Sequence, residues 1–427
     1  MVDCGIDGVT DLTFTLGAPT PDTRHPTPPL PTLSSRLQGL PGYPLAEVPA
    51  IKRRLVQQGV DVIDLGAGDS DYPPPAEVVD AMRQAVGEPA LSRYGFQQGL
   101  PEFRRAVSDW MHRRFGRRFD PGTEMLPLIG SKEGLAHLPL AVLDAGAVAI
   151  VPEPGYQAYL GGTVLAGGEP FRYPITPRTQ FLVDLEEIPA EILRRARLLF
   201  LNYPNNPTAA VAPLEYLERT VAICRRHDIV LAYDNPYCDL TFEGYRAPSV
   251  FEIPDARDVA VEFFSLSKSF SMTGWRLGWA AGAPNLISAL ERVKTYVDTG
   301  PFLATQQAAV TALDHSERLL PPIVAELQRR RDAGVTAFRA AGFTLERPLA
   351  TMYLWIALPA GLPSGAFARR AVEKDGVIVL PGSVFGPGGE GFFRVALTVG
   401  PERLSDAATR LGRTLSTLMN DALAATA

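Results

Sequence analysis

Residues 261–282 read VEFFSLSKSFSMTGWRLGWAAG, and this segment constrains both the architecture and the chemistry of the chain. It opens with a short apolar run, typical of a buried strand, and then turns polar at Ser265, Ser267 and Lys268. Only five of the 41 Lys and Arg residues are lysine, so Lys268 is not a default surface cation. A partly desolvated lysine gives up its proton readily, and its free amine forms a Schiff base with an aldehyde, which arginine cannot do. The position therefore indicates a reactive lysine at the end of a strand.

Two side chains near Lys268 suit an anion. Arg276, eight residues further on, is a fixed cation of the kind that binds phosphate or carboxylate groups. Ser265, three residues before the lysine, can donate a hydrogen bond to the same anion. The alternative is a strand end capped by polar residues, with an exposed lysine that has no chemical role.

The sequence SLSKSFSMTGWRLG, residues 265–278, resembles the cofactor-lysine segment of class I/II aminotransferases. These are fold-type I enzymes that depend on pyridoxal 5′-phosphate (PLP). The resemblance implies an α/β fold with a mostly parallel central sheet, flanking helices and a smaller α+β domain. It also implies that Lys268 forms the Schiff base with PLP and that Ser265 and Arg276 hold the cofactor phosphate.

Length and composition limit the alternatives. A chain of 427 residues, 46% of them hydrophobic, can bury one large core and one smaller core, so we expect two domains. The net charge of -6 and the absence of a basic run argue against nucleic acid as a partner, and against an effector module of a transcription regulator. No apolar stretch is long enough to span a membrane.

The N-terminus, the cysteines and the histidines predict a cytoplasmic protein without a metal site. The first residues lack the basic and apolar regions of a secretory signal. Cys4, Cys224 and Cys238 are too few for a disulfide framework and fit a reducing compartment. The histidines show no metal-ligand spacing with each other or with cysteine.

The chain divides into four predicted segments. Residues 1–36 are proline-rich and form an N-terminal arm. Residues 37–70 form a segment that packs with the small domain and the active-site entrance, residues 71–315 the large PLP-binding domain, and residues 316–427 the small C-terminal domain. The segment 37–70 is most similar to the LL-diaminopimelate aminotransferase branch, which implies that Tyr43 and Gly68 contact the substrate.

A second anion site is predicted where a helix follows a glycine. Gly130, Ser131 and Lys132 stand at the start of a helical pattern, and free backbone N–H groups at a helix start attract phosphate. The family places its phosphate loop here, although an ordinary capped helix has the same pattern. In the family the tyrosine matching Tyr94 reaches the cofactor phosphate of a second copy, which implies a homodimer with shared active sites. By itself, Tyr94 reads as an ordinary loop aromatic.

Three further apolar runs, at residues 147–151, 198–201 and 229–232, resemble strands buried on both faces of a parallel sheet. Each ends in polar residues, and ligands bind beyond the carboxyl ends of such strands. We therefore expect these polar residues to meet Lys268 in one crevice.

The resemblance assigns a role to each polar group at these strand ends. Asp234 pairs with the pyridine nitrogen of PLP and keeps it protonated. Tyr237 and Asn206 contact the phenolic oxygen of the ring, and Tyr156 stacks on its face. The predicted catalytic residues are thus Lys268, Asp234 and Tyr237. An aspartate at a strand end is more often a turn former, so the joint occurrence of these motifs supports the assignment.

Arg394 lies within an apolar strand pattern, FFRVALTV, where a lone cation would be costly. The family uses this arginine to bind the α-carboxylate of the substrate, together with the asparagine at the position of Asn206. A structural salt bridge is the alternative.

The resulting hypothesis is a PLP-dependent aminotransferase that moves an amino group between an L-amino acid and a 2-oxo acid. The alternative is a PLP enzyme of the same fold diverted to another carbanion reaction in specialised biosynthesis, such as replacement, carbon–carbon bond formation, decarboxylation or oxidation. Four residues depart from the branch pattern around the substrate and put diaminopimelate in doubt: Gln97, Gln157, Ala209 and Tyr296.

Overall fold

The structure is a computed structural model that describes residues 31–40, 42 and 48–426. The helices of these residues are α1 (Ser35–Gln38), α2 (Val48–Gln57), α3 (Ala76–Ala85), α4 (Pro101–Phe115), α5 (Ser131–Val142), α6 (Gln157–Ala166), α7 (Ala190–Arg195), α8 (Leu214–His227), α9 (Leu266–Ser269), α10 (Pro284–Thr295), α11 (Leu303–Asp314), α12 (Ser316–Ala340), α13 (Ser364–Asp375) and α14 (Pro401–Thr426).

The strands are β1 (Ile63–Asp64), β2 (Met125–Leu128), β3 (Val148–Glu153), β4 (Glu169–Pro174), β5 (Ala196–Asn202), β6 (Val230–Asp234), β7 (Ala260–Ser265), β8 (Gly278–Gly282), β9 (Thr344–Leu345), β10 (Tyr353–Ala357), β11 (Val377–Ile378), β12 (Leu380–Pro381) and β13 (Phe392–Ala396).

A seven-stranded sheet forms the centre of the molecule, in the order β2-β8-β7-β6-β5-β3-β4. The strands β7, β6, β5, β3 and β4 pair in parallel, and β8 pairs antiparallel with both β7 and β2. Every residue of β7 is buried, as expected for an apolar run covered on both faces. The apolar runs predicted as parallel strands therefore lie side by side, and their carboxyl ends share one edge.

Successive side chains of the central strands point to opposite faces of the sheet, so the strands contribute to a separate core on each face. Leu199 and Leu201 of β5 belong to a core with helices α3, α4, α8 and α11. Leu198 and Phe200 of the same strand belong to a core with α5, α6 and α10. Helices thus cover both faces, and polar side chains gather at the strand ends.

A smaller antiparallel sheet, in the order β12-β13-β10-β9, packs with α12, α13 and α14 around its own core. Strand β1, which precedes the large sheet in the chain, pairs in parallel with β11 of this C-terminal part. Ile63 and Leu65 are buried in the same core. The segment around residue 64 thereby lies between the large sheet and the smaller one. The exact domain division stays a prediction.

None of the helices among the described residues has the length and apolar character needed to cross a membrane.

Candidate active site

Lys268 lies directly after the central strand β7, in the one-turn helix α9. Ser265 caps this helix, since its side-chain oxygen accepts a hydrogen bond from the backbone N–H of Ser267 at 3.2 Å. The Lys268 ammonium is half-buried and donates to the backbone carbonyl of Gly68 at 2.6 Å. Two residues predicted for catalysis and substrate binding therefore meet here, although 200 residues separate them in the chain.

Asp234 ends the neighbouring strand β6 and is 4% exposed. Its Oδ2 accepts a hydrogen bond from the Tyr159 hydroxyl at 2.6 Å, whereas its Oδ1 is buried without a partner among the described residues. Burial raises the pKa of Asp234 to about 7, against the opposing effects of the Tyr159 hydrogen bond and the Lys268 charge. A buried acceptor with a free lone pair is suited to a protonated nitrogen.

Arg394 lies on β13 of the smaller sheet and is 4% exposed. Its guanidinium donates to Asn206 Oδ1 at 2.7 Å and to the Gly66 carbonyl at 2.6 Å, and its Nε has no partner in the part of the chain that the structure describes. The rings of Tyr353 and Phe385 lie 4.1 and 5.1 Å from its Cζ. Within the described part of the chain no carboxylate pairs with Arg394, so the alternative of a structural salt bridge is wrong there.

Two tyrosines connect the sites of Asp234 and Arg394. The hydroxyls of Tyr237 and Tyr353 are 3.1 Å apart, and both side chains are buried. Burial raises the pKa of Tyr237 well above its ordinary value. Burial would also raise the pKa of Tyr353, but the charges of Lys268 and Arg394 outweigh that effect and lower it. Sequence reasoning singled out Tyr237 and missed Tyr353, which reads as a core aromatic of an apolar strand.

The predicted phosphate residues meet on the other side of Lys268. Gly130 has a φ of +75°, and a Cβ there would lie 2.3 Å from the Arg276 guanidinium. Arg276 therefore packs directly on the glycine backbone, and its Nη1 donates to the Thr273 carbonyl at 2.8 Å. Ser131 begins α5 immediately beside this contact. The start of α5 and a guanidinium therefore lie next to each other, and both kinds of group can bind an anion.

The remaining predicted site residues have different surroundings. The Lys132 ammonium is 5.9 Å from the centroid of the Tyr156 ring, and Tyr156 contacts Tyr159 edge-on. Tyr94 is 74% exposed, and none of its contacts in this chain is with the crevice residues. Tyr43 lies outside the described residues. The crevice therefore contains the predicted catalytic set and Arg394, but not Tyr94.

Sequence reasoning also missed a buried ion triad behind the phosphate end. The fully buried Lys294 ammonium donates to Glu133, and also to Asp298 at 3.0 Å. Glu133 in turn accepts the backbone N–H of Ile129 at 2.6 Å, directly before Gly130. His137 joins the cluster, and the three potential metal ligands lie within 4.8 Å of one another. Because Lys294 already supplies the positive charge, we assign no metal to this cluster.

The four departures from the branch pattern lie in different environments. Ala209 has a φ of +60°, the left-handed conformation that glycine adopts without strain. Gln157 donates to the carbonyl of Val384. Gln97 donates to the carbonyl of Asp298 at 3.2 Å, and Tyr296 is 86% exposed on the same side of the molecule.

The residues present fit PLP. Among the described residues Asp234 Oδ1 has no partner, and it offers the acceptor that a protonated pyridine nitrogen needs. At the phosphate end the Arg276 guanidinium packs on Gly130, directly before the start of α5. Lys268 follows β7, the strand between β8 and β6 in the central sheet. It carries the amine that reacts with an aldehyde.

Comparisons with known proteins agree with this geometry. Residues 60–411 match the family model described as "Aminotransferase class I and II". The LL-diaminopimelate aminotransferase of Moorella thermoacetica is 44% identical over 380 residues, covering 89% of this chain and 97% of that protein. The enzyme of the same name from Desulforudis audaxviator is 45% identical over 378 residues, covering 88% and 96%.

Solved structures show the same fold. A probable N-succinyldiaminopimelate aminotransferase from Thermus thermophilus superposes with a TM-score of 0.82 at 38% identity, covering 86% of this chain and 99% of that one. Substrate-bound BacF from Bacillus subtilis superposes with a TM-score of 0.85 at 31% identity, covering 90% and 98%. The predicted fold class and PLP dependence are confirmed, and the alternative of a diverted carbanion reaction gains no support. The chain belongs to the class I and II aminotransferases, enzymes that use PLP to exchange amino groups between amino acids and 2-oxo acids.

Proposed function

We propose that three residues, each from a different element, carry the amino transfer: Lys268, Asp234 and Arg394. One observation carries the proposal. Asp234 and Arg394 are buried groups of opposite charge, and each has one polar atom without a partner among the residues that the structure describes. Asp234 interacts electrostatically with Lys268, and Arg394 with Tyr353, in the same crevice. Such unsatisfied buried groups are costly for folding alone, and a ligand that satisfies both explains them.

Each residue has a defined task in this proposal. Bound PLP supplies an electron sink for the charge that develops at the substrate α-carbon. The Asp234 carboxylate keeps the ring nitrogen protonated. With PLP bound, the free amine of Lys268 would take the proton from the substrate α-carbon and would deliver it to the cofactor carbon that receives the amino group. Arg394 binds the α-carboxylate with two parallel hydrogen bonds, and Asn206, already bonded to Arg394, orients both the guanidinium and the cofactor.

The remaining predicted residues hold the cofactor or complete the entrance. Tyr237 donates to the phenolic oxygen of the ring, and Tyr156 packs on its face. The phosphate group is bound by Gly130, Ser131, Lys132, Ser265 and Arg276. We assign Tyr43 and Gly68 to substrate contact, and we keep the four-segment division at residues 36, 70 and 315.

We propose that the active enzyme is a homodimer in which Tyr94 reaches the cofactor phosphate of a second copy. The support is an exposed apolar patch formed by Tyr94, Phe96, Tyr296 and Val297, which are 74%, 65%, 86% and 56% exposed. Exposed clusters of large apolar side chains mark interaction surfaces. The buried free thiols of Cys224 and Cys238 are compatible with the proposed cytoplasmic location.

The dimer proposal is tested by complementation. Tyr94→Ala and Lys268→Ala each inactivate their own homodimer if sites are shared. A mixed dimer then contains one site with both native residues, so mixing the two inactive variants after partial unfolding restores activity. Failure to restore activity, with a dimer seen by light scattering, would contradict site sharing but not dimer formation.

For the amino donor we propose LL-diaminopimelate or an amino acid with a similar charged distal end, because relatives sharing 44–45% identity carry that name. The departures at Gln97 and Tyr296 predict weaker discrimination at the distal end of the donor.

Single-turnover mixing of the holoenzyme with individual amino acids tests the function. Release of a 2-oxo acid, with matching loss of the cofactor aldehyde absorbance, supports transamination and ranks the donors. Borohydride reduction followed by peptide mapping should label Lys268. Labelling elsewhere, or full turnover by Lys268→Ala, would contradict the assignment.

A further inference from the structure

We propose that Tyr353 is a positioning residue of the active site, whose hydroxyl aligns Tyr237 and whose ring aligns Arg394. This inference rests on the proposed roles of Tyr237 and Arg394. Tyr353 is 2% exposed, and it contacts residues from both parts of the crevice. Its Oη is 3.1 Å from Tyr237 Oη, and its ring centroid is 4.1 Å from the Cζ of Arg394.

The position of Tyr353 is fixed on several sides. Strand β10 pairs antiparallel with β13, which carries Arg394. The Tyr353 backbone N–H donates to the hydroxyl of Thr351 at 3.2 Å. On the opposite side, a Cβ placed on Gly68 would lie 2.1 Å from Tyr353 Oη, so the hydroxyl packs against a backbone that tolerates no side chain. A ring held between Gly68 and Arg394 cannot change its orientation without moving one of them.

The hydroxyl has a defined hydrogen-bond direction when the cofactor is bound. A tyrosine hydroxyl carries a single proton. If Tyr237 donates its proton to the phenolic oxygen of the cofactor, then the bond between the two tyrosines must be donated by Tyr353. A donor that itself accepts a hydrogen bond is strengthened by polarisation, so Tyr353 makes Tyr237 a stronger donor.

The local electrostatics agree with this direction. Despite its burial, Tyr353 has a lowered pKa, because it lies in the fields of the Lys268 and Arg394 charges. The pKa of Tyr237 is instead raised by burial and by Tyr353. The positive charges beside Tyr353 favour its hydroxyl as the donor.

The ring of Tyr353 orients Arg394, the proposed binding residue for the substrate carboxylate. A guanidinium over an aromatic face is attracted to it, and a flat contact fixes the plane of the fork. The acceptors of Arg394 among the described residues, Asn206 and Gly66, are neutral, so these contacts and the aromatic faces determine its orientation. A bidentate grip on a carboxylate requires that orientation.

Two variants separate the two roles. Tyr353→Phe keeps the ring and removes the hydroxyl. We expect the pH midpoint of the visible absorbance of the bound cofactor to rise by about half a unit to one unit, with the affinity for substrate within about 2-fold of wild type. Tyr353→Leu should show the same spectral shift and also weaken the binding of an unreactive α-methyl amino acid by about 5- to 30-fold.

Matched variants give the controls. Tyr216→Phe removes a buried hydroxyl that donates to the Val183 carbonyl, away from the crevice, and should change neither readout. Tyr237→Phe tests the proposed function separately. If it leaves the spectral midpoint unchanged, the proposed role of Tyr237 fails. If it shifts the midpoint while Tyr353→Phe does not, only the role of the Tyr353 hydroxyl fails.

Gly68→Ala tests the role of the hydroxyl independently of the folding of the Tyr353 variants. The added methyl group displaces the Tyr353 hydroxyl without changing the tyrosine, so we expect the same direction of spectral shift as in Tyr353→Phe. Equal affinity of Tyr353→Leu and wild type for the α-methyl amino acid would overturn the role of the ring.

Discussion

Two buried charged regions of this enzyme are built on opposite principles. Lys294 is fully buried, yet its ammonium lies between the carboxylates of Glu133 and Asp298. Arg394 is almost as buried, but its acceptors within the described chain are a side-chain amide and a backbone carbonyl. Asp234, in the same crevice, likewise keeps a carboxylate oxygen without a partner.

The contrast separates a structural charge from a binding charge. The Lys294 charge is closed, because its partners Glu133 and Asp298 are carboxylates of the same chain, and its energy contributes to folding. Arg394 and Asp234 remain open, so part of their interaction energy becomes available only when a ligand brings the opposite charge. Removal of a closed charge should therefore reduce stability, and removal of an open charge should reduce binding.

The largest expected effect is on folding, from Lys294→Met. This variant leaves the half-buried carboxylates of Glu133 and Asp298 close together without their counter-charge, which should cost about 3–5 kcal/mol in the free energy of unfolding. Urea unfolding of the apoprotein measures it. Addition of Glu133→Gln and Asp298→Asn should recover part of the loss, because the remaining negative charge is removed. A loss below about 1 kcal/mol would show that the triad is solvated rather than closed.

Arg394→Ala should have the opposite signature. Loss of the carboxylate grip is expected to reduce kcat/KM by roughly 30- to 1,000-fold, as for other buried charge contacts with a ligand. Unfolding free energy should stay the same or rise, since a charge without an internal counter-ion disappears. Arg394→Lys keeps the charge but not the planar fork, and should recover only part of the activity. A marked loss of stability in Arg394→Ala would remove the distinction between the two regions.

The sequence was informative where physical rules act along the chain. Apolar runs buried on both faces predicted parallel strands, and parallel strands bring their ends together, so Asp234, Asn206 and Lys268 could be expected in one crevice. The partners of these groups could not be predicted. Tyr159, which bonds Asp234, and Tyr353 follow the burial pattern of ordinary core residues, and periodicity does not indicate which polar atoms meet.

Lys294 shows a signal that was available but incomplete. The scarcity of lysine that drew attention to Lys268 applies equally to Lys294, which lies in a helix with a buried apolar face. Its role depends on Glu133, which is 161 residues away in the chain, so no local pattern relates the two. Scarcity can identify a lysine with a purpose, but the three-dimensional partners decide whether that purpose is chemical or structural.

The third prediction concerns the open carboxylate. The pKa of Asp234 is about 7 in the folded protein and 3.8 ordinarily, so its protonated form favours folding. This contribution to stability is fully present below pH 3.8 and is lost as the pH rises through about 7. Between about pH 5 and pH 8 the apoprotein should lose about 1–2 kcal/mol more than Asp234→Asn does, by urea unfolding. Parallel pH profiles for the two proteins would indicate that water already solvates Asp234.

The smallest expected effect comes from Glu133→Gln, which removes one charge of the closed triad but keeps the acceptor for the Ile129 N–H. Burial would raise the pKa of Glu133, but His137 and Lys294 outweigh it and hold the pKa below the ordinary 4.5. The stabilisation by the Glu133 charge is therefore present above pH 4.5 and lost as the pH falls below it. We expect the variant to lose about 1 kcal/mol of unfolding free energy near neutral pH, and the difference from wild type to shrink towards about pH 4.

Arg318→Gln is the control, because its ion pair with Glu77 lies at the surface, and its unfolding midpoint should not change. A Glu133→Gln effect that stays constant with pH would assign the stabilisation to hydrogen bonding and packing, and the triad would then differ from Arg394 in geometry rather than in charge balance.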